Sequence, residues 1–456
     1  MPSQAKAATV SSIALTAADV SPSGPFCGET ARGAIYLAAR YGLGVIVGVG
    51  NMLVMTWWIG PHAYGLFVTA VGIVAFLAIL ARGGIDTYLV RSEAPDARMY
   101  GTATSLILVA SLGLGLAAAA ATPLFIRWYG STEFVYPYLA LLVAIPMSAL
   151  TGIPMAKLER GLEFRRIAGI ELAGQSLGLV VAATFAWLHA GVWAPVMGQI
   201  AWQLFTLIAA GACAAIPFRL CFETKHAQPM LSYGLGLTAS LRTWQLRTLV
   251  NPLIVGRFLG AEAVAYVALA IRIAEALGSF RLAAGRMAIA ALARLQDRRE
   301  EFRRVLDRAL YLQVITLGPL LCAFALLAPF VLRHVIGARW APSMLIYPFA
   351  AVGILVNSVY NLQASALFVV GKQWLVMQSY LAHVVLLAAT TLILLPRLGL
   401  IGYGWAELIA CGAYCIIHFG LATTVPISYR KLRPWVGGFA AGLFLVPAGY
   451  TLLRMN

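Results

Sequence analysis

Six arginines fall inside long apolar stretches of the chain: Arg40, Arg242, Arg247, Arg272, Arg281 and Arg286. A guanidinium stays charged in any protein environment and is expensive to place in hydrocarbon, so such residues are functional candidates by default. Arg281 and Arg286 stand towards the end of their stretch, where long side chains reach headgroups. Arg40, Arg242, Arg247 and Arg272 lie deeper. Carboxylates available to neutralise them are few. Glu275 follows Arg272 by three residues and can share its helix face; Glu407 lies within another apolar stretch and Glu171 near the start of one. Even with Glu275 given to Arg272, the remaining three deep arginines have no evident partner. A buried unpaired charge is not tolerated. The pattern therefore predicts either interhelical salt bridges or a cationic cavity that holds water and admits an anion. Guanidinium grips phosphate oxygens two at a time, so the cavity reading assigns Arg40, Arg242, Arg247 and Arg272 to a phosphate-bearing amphipathic ligand. Glu275 and Glu407 are then the candidates for ion coupling. Asn51, Trp244 and Gln245 are the expected neighbours, and Asn251-Pro252 predicts a kink that frees a backbone carbonyl.

The elements that position these residues are set by composition. Of 456 residues 61% are apolar and 11% charged, with a net charge of +16. Soluble domains carry about 25% charged residues, so an ordinary soluble enzyme is excluded. Thirteen apolar segments span approximately 33–56, 63–82, 101–124, 135–154, 168–188, 192–216, 232–256, 261–289, 309–332, 343–370, 374–396, 400–425 and 435–453. Most are near the ~20 residues that cross ~30 Å of hydrocarbon as a helix. The chain is thus expected to be an all-α polytopic membrane protein with 12–13 transmembrane helices. Residues 1–30 read as a flexible cytoplasmic tail rather than a signal peptide. With the N-terminus cytoplasmic, inside segments hold 21 Lys and Arg against 6 in outside loops. That bias predicts the orientation and accounts for most of the positive charge without nucleic acid. The basic stretch 294–304 is expected to be an amphipathic surface helix on anionic headgroups.

Weak internal repeats organise the segments. Tyr41-Gly42-Leu43-Gly44 recurs as Tyr233-Gly234-Leu235-Gly236, and Gly60-Pro61-His62-Ala63 is echoed by Gly260-Ala261-Glu262-Ala263. Tyr136-Pro137 matches Tyr347-Pro348, and Gly191 matches Gly402. Their shared order predicts two parallel six-helix bundles, 31–217 and 230–425, facing each other across a central cavity. Residues 430–456 would add one further span, a poor regular helix for its glycines and Pro447.

Other chemistry is not supported. None of the six cysteines makes a Cys-x-x-Cys pair, and no haem, iron–sulfur or zinc signature appears. Neither a metal nor a cofactor is expected. The histidines, His62, His189, His334, His383 and His418 among them, are isolated and read as structural. No paired-carboxylate, nucleophile-elbow or phosphate-loop motif is present, so the chain is not expected to be an enzyme.

Two stretches resemble a known family. Trp58-Ile59-Gly60-Pro61-His62-Ala63-Tyr64-Gly65-Leu66-Phe67, continuing to Gly83-Gly84-Ile85-Asp86-Thr87-Tyr88-Leu89-Val90-Arg91, resembles the polysaccharide repeat-unit flippases of the Wzx type, which belong to the MOP superfamily with MATE exporters and lipid II flippases. Lys157-Leu158-Glu159-Arg160-Gly161-Leu162-Glu163-Phe164-Arg165-Arg166, followed by Gly191-Val192-Trp193-Ala194, resembles the succinoglycan-transporter branch. Pro195 stands where that branch usually has Leu, and thirteen segments depart from its even number. The resemblance implies a MOP-type core that moves undecaprenyl-diphosphate-linked oligosaccharides from the cytoplasmic to the periplasmic leaflet of the bacterial inner membrane. Its partners would be the polyprenyl-diphosphate-linked glycan, membrane lipids, and a polysaccharide polymerase with export machinery. A cation-coupled multidrug antiporter of the same fold is the alternative, disfavoured because embedded arginines outnumber embedded acids. A membrane-embedded glycan polymerase or ligase would need a longer outside loop.

Overall fold

The computed structural model describes residues 44 and 47–454, apart from 217–219, 235–242, 280, 282–284, 286–287, 289–291, 296–297, 426 and 428. The predicted tail 1–30, Arg40, Arg242 and Arg286 lie outside the described residues. Among the described residues ten helices are long and apolar enough to cross a membrane. In chain order we label α1 (Val47–Ile59), α2 (Pro61–Arg82), α3 (Ala97–Ala120), α4 (Val135–Arg160), α5 (Phe164–Trp187) and α6 (Trp193–Ala214). These are followed by α7 (243–259), α8 (261–277), α9 (Arg299–Val331), α10 (Ser343–Val369), α11 (Gln373–Leu398), α12 (Leu400–Ala422) and α13 (Arg433–Arg454). Helical hydrogen bonding runs through 243–277 without a gap, but Gly260 has φ 79 and ψ −177. The Asn251 amide donates to the Val264 carbonyl at 3.2 Å. Those residues would be about 20 Å apart in a straight helix, so the chain folds back at Gly260 and makes two passes, the seventh and eighth segments.

Local sequence sets the helix ends. Pro61 opens α2 where its missing N–H is no loss, and Gly83 (φ 47) closes it. The Asp96 side chain caps α3 by accepting from the Met99 N–H at 2.8 Å. Two expectations change. The stretch 294–304 is not a separate surface helix: from Arg299 it is the first turns of α9, with Phe302 and Leu306 buried. The thirteenth segment is a continuous helix of 22 residues. Its Phe439 ring fills the notch left by Gly318 on α9, where a Cβ would come within 2.1 Å.

Helices α2–α6 pack chiefly on one another, as do α8–α12, and α2 lies along α8 to join the groups. Lipid-like surface is abundant outside, with Val109, Leu116 and Trp187 exposed. A tyrosine hydroxyl ties successive helices in each group: Tyr138 donates to the Ala118 carbonyl at 3.0 Å and Tyr347 to Leu321 at 2.9 Å. Tyr138, not the exposed Tyr136, is therefore the counterpart of the buried Tyr347. Likewise the left-handed turn at Gly191 (φ 57) is matched by Gly399 (φ 58) rather than Gly402.

The two groups exchange side chains at one end. Residues Met55–Ile59 of α1 and Asn251–Val255 of α7 each wind as a π-helical turn, which disturbs the regular ladder. The Thr56 carbonyl accepts from Arg339 at 2.6 Å and from the Trp340 indole at 3.1 Å; the Trp57 carbonyl also accepts from Arg339. Conversely, the Pro252 carbonyl accepts from the Tyr129 hydroxyl at 3.0 Å and the Leu253 carbonyl from the Trp128 indole at 2.8 Å. Burial pushes the Tyr129 hydroxyl well above its ordinary range, which keeps it a donor. The expected kink at Asn251-Pro252 is thus a π turn whose carbonyls are taken up from the other group. Next to this exchange α2 and α8 touch backbone to backbone: a Cβ at Gly65 would lie 1.8 Å from the Ala261 oxygen. Gly65→Ala must push the two helices apart, an overpacking cost of about 1–3 kcal/mol or more. Its melting temperature in detergent should fall clearly, whereas Gly113→Ala, which meets open space, should melt near the parent. Equal melting of the two variants would contradict the close approach.

Candidate functional site

Helix α7 carries Arg247, and α12 carries Glu407 across from it. The Arg247 guanidinium donates to Glu407 at 2.6 Å, with side chains 16% and 7% exposed. The guanidinium also lies 5.2 Å from the Trp244 ring. His383 of α11 is wholly buried, its ring 5.0 Å from Trp244 and 5.2 Å from Tyr414. Arg247 therefore has the intramembrane partner that its sequence neighbourhood does not supply. Neither it nor Glu407 lines the central cavity. The pair is an interhelical tie inside the α7–α12 group; it engages Glu407 Oε1, while Oε2 is buried without a hydrogen-bond partner among the described residues. Other histidines also have partners: His62 meets Glu133 at 2.7 Å, His334 the Phe330 carbonyl at 3.1 Å, His418 the Tyr429 hydroxyl at 2.8 Å, and His226 stands 3.4 Å from Glu223.

The central cavity lies between the groups. It encloses about 620 Å³ and is bordered by α1, α2 and α6 on one side and α8 and α9 on the other. Asn51, Gln199, Trp202, Arg272 and Glu275 supply its polar lining. Arg272 stands twelve residues past the turn at Gly260, in the C-terminal half of α8. It makes no ion pair among the described residues, Glu275 included; its guanidinium lies 5.6 Å from the Tyr64 ring. Of the four arginines assigned to ligand binding by sequence, Arg272 reaches this cavity, Arg247 does not, and Arg40 and Arg242 lie outside the described residues.

Two further cavities adjoin it. One of about 190 Å³ shares Asn51, Phe67, Gln199 and Trp202 with the central cavity. It shares Gln175 and Trp202 with another of about 440 Å³ inside the α2–α6 group. This last is bordered by Gln203, Thr151, Asp86, Glu159 and Glu171. Sequence reading missed Trp202 and the amides because it searched apolar segments for charge; the signal was a run of uncharged polar groups at mid-helix in α5 and α6.

Comparison with known proteins adds three findings. The model of the polysaccharide biosynthesis protein family matches residues 54–345. The succinoglycan biosynthesis transport protein ExoT of Rhizobium meliloti (strain 1021) is 23% identical over 307 residues, which take in 66% of this chain and 60% of the relative's length. Among solved structures, the lipid II flippase MurJ in an inward closed conformation superposes with a TM-score of 0.73 at 15% identity, covering 91% of each chain. An inward-facing multidrug resistance MATE family transporter of the MOP superfamily gives 0.62 at 16% identity, over 84% of this chain and 94% of that one. The fold is that shared by these transporters, all-helical among the described residues, with a cavity between two helix groups.

Removing one partner of a buried pair leaves the other charge uncompensated, at about 3–5 kcal/mol. Arg247→Met should lower the melting temperature of the detergent-purified protein sharply, and Arg247→Met combined with Glu407→Leu should recover most of the loss. Failure of the double variant to recover would mean that Arg247 does more than neutralise Glu407.

Proposed function

The chain belongs to the polysaccharide biosynthesis protein family, and from that premise we propose that it flips undecaprenyl-diphosphate-linked oligosaccharide repeat units from the cytoplasmic to the periplasmic leaflet, for exopolysaccharide or O-antigen assembly. The observation that carries this reading is Arg272: a guanidinium without an ion-pair partner among the described residues, lining a cavity between two helix groups. Such a charge calls for an anion or water, and a diphosphate is a bidentate match for it. Arg40 and Arg242 are assigned to the same ligand, on the sequence argument. The bundles are residues 31–217 and 230–425, with 430–456 appended. The protein moves its ligand without a chemical step and sits in the bacterial inner membrane with a cytoplasmic N-terminus. A polymerase and export machinery take the product. Carrying a negative charge outward across an inside-negative membrane is favourable by about 2.3 kcal/mol per 100 mV, so potential alone can drive the step; Glu275, which lines the cavity, is the remaining candidate for ion coupling.

Deletion of the gene should leave lipid-linked repeat units on the cytoplasmic face, and Arg272→Ala should reproduce this while the protein remains in the membrane. Unchanged lipid-linked pools in the deletion strain would refute flipping, and full export by Arg272→Ala would remove the role given to this residue. Reporter fusions after residues 60 and 190 should score as periplasmic and those after 95 and 298 as cytoplasmic. The reverse pattern would overturn the orientation.

A further inference from the structure

Trp202 of α6 borders all three contiguous cavities. Its indole is positioned by the absence of side chains on α5: a Cβ at Gly174 would lie 2.8 Å from Trp202 Cδ1, and one at Gly178 would lie 3.0 Å from its Cβ. The ring lines both the central cavity, with Arg272, and the 440 Å³ cavity bordered by α2, the segment 85–91, α4, α5 and α6.

The chemistry of the two cavities differs. Gln203 stands near the middle of α6 and Gln175 near the middle of α5. Neither amide has a hydrogen-bond partner among the described residues, and both line the cavity. Thr151 and Ser148 add hydroxyls from α4, while Asp86, Glu159 and Glu171 add carboxylates near the helix ends, with Arg82 4.0 Å from Asp86. Amides at that depth are tolerated only where they face water or a polar ligand. An excess of carboxylates over guanidinium disfavours a phosphate. No three acidic, histidine or cysteine side chains among the described residues converge as a metal site. A neutral ligand rich in hydroxyls satisfies such a lining. Amides and carboxylates each hold hydroxyls in pairs, and an indole face suits the C–H face of a sugar ring. A site built to bond hydroxyls also discriminates strongly against ligands lacking them.

We propose that this cavity is the sugar subsite, in which the first rings of the glycan lie beyond Trp202 while the diphosphate remains at Arg272. The proposal rests on the reading of the protein as a lipid-linked glycan flippase. It makes Gln203, which borders this cavity and not the central one, a specificity-determining residue.

The test uses the full chain in lipid nanodiscs with two probes, undecaprenyl diphosphate and undecaprenyl diphosphate carrying a single hexose, glucose or galactose. The reading is the ratio of their affinities. The parent should prefer a hexose-bearing lipid. Gln203→Met, which keeps side-chain length, and Gln203→Ala should each reduce that preference about five-fold, the loss expected for a ligand hydrogen bond. Arg272→Ala should weaken both lipids in parallel and keep the ratio. A parent ratio of one for both hexoses, or a ratio unmoved in both Gln203 variants, overturns the sugar subsite and leaves the diphosphate reading standing. Tight binding of tetraphenylphosphonium that Gln203→Ala abolishes, without any hexose preference, assigns the cavity to organic cations and overturns it equally. A parent with no affinity for either lipid overturns the flippase reading itself.

Discussion

A backbone carbonyl inside a membrane has no water to turn to, and every interruption of a helix must be repaid by a donor from elsewhere in the protein. This chain interrupts the ends of α1 and α7 with π turns and satisfies the carbonyls crosswise. Arg339 and Trp340, from the connection between α9 and α10, serve α1; Trp128 and Tyr129, from the connection between α3 and α4, serve α7. The donors come from corresponding places in the two groups. Each group therefore cannot complete its own hydrogen bonding at this end without the other. The Gly65–Ala261 contact lies beside the exchange and is possible because neither residue carries a bulky side chain. Together they fix the ends of α2 and α8 and leave the groups free to diverge below, where the central cavity opens between α1, α2 and α6 and α8 and α9.

The same constraint sorts the buried charges. Arg247 and Glu407 are neutralised at 2.6 Å between α7 and α12, with Trp244 against the guanidinium. A pair of this kind adds little net stability over apolar packing but is costly to break, so it acts as a registry pin within one group. Arg272 is treated differently. It projects into the cavity, with an aromatic ring rather than a carboxylate beside it. A chain that pairs one embedded arginine and gives another no ion-pair partner among the described residues has a use for the second charge, and on the proposed reading that use is the diphosphate.

Much of the fold is legible in the sequence because apolar runs of span length are a direct consequence of the solvent. Each of the thirteen segments has a helical counterpart among the described residues, and the echo of Gly60 in Gly260 marks two turns with nearly the same dihedrals. Register within the repeats is less legible. Tyr136 and Tyr347 match as letters, but the buried hydroxyl belongs to Tyr138, since helix phase decides which ring faces inward. The partner of Arg247 is 160 residues away, and nothing local to either residue announces the contact. Glu275 shows the converse: three residues from Arg272, it is a natural partner by spacing, yet both residues line the cavity without an ion pair between them. The arginine Arg299 likewise begins a helix that the hydropathy boundary placed ten residues later, because a membrane helix continues into water wherever its inner face still has a core to bury, here Phe302 and Leu306.

Cavity size constrains what such a site can hold. About 620 Å³ between the groups, with smaller adjoining spaces of about 190 and 440 Å³, falls in the range of a drug-sized ligand site. A long polyprenyl chain cannot be accommodated there as well as a headgroup. Nor does it need to be. The hydrocarbon tail loses nothing by remaining among acyl chains, since bilayer and protein interior are equally apolar to it. The polar head is the part for which crossing hydrocarbon is prohibitive. The division of surface follows that asymmetry: apolar side chains such as Val109 and Leu116 face outward, and amides, hydroxyls and the Arg272 guanidinium face a continuous inner space. On the proposed reading, a protein built this way lowers the barrier for the head alone, and the lipid anchor travels alongside in the membrane.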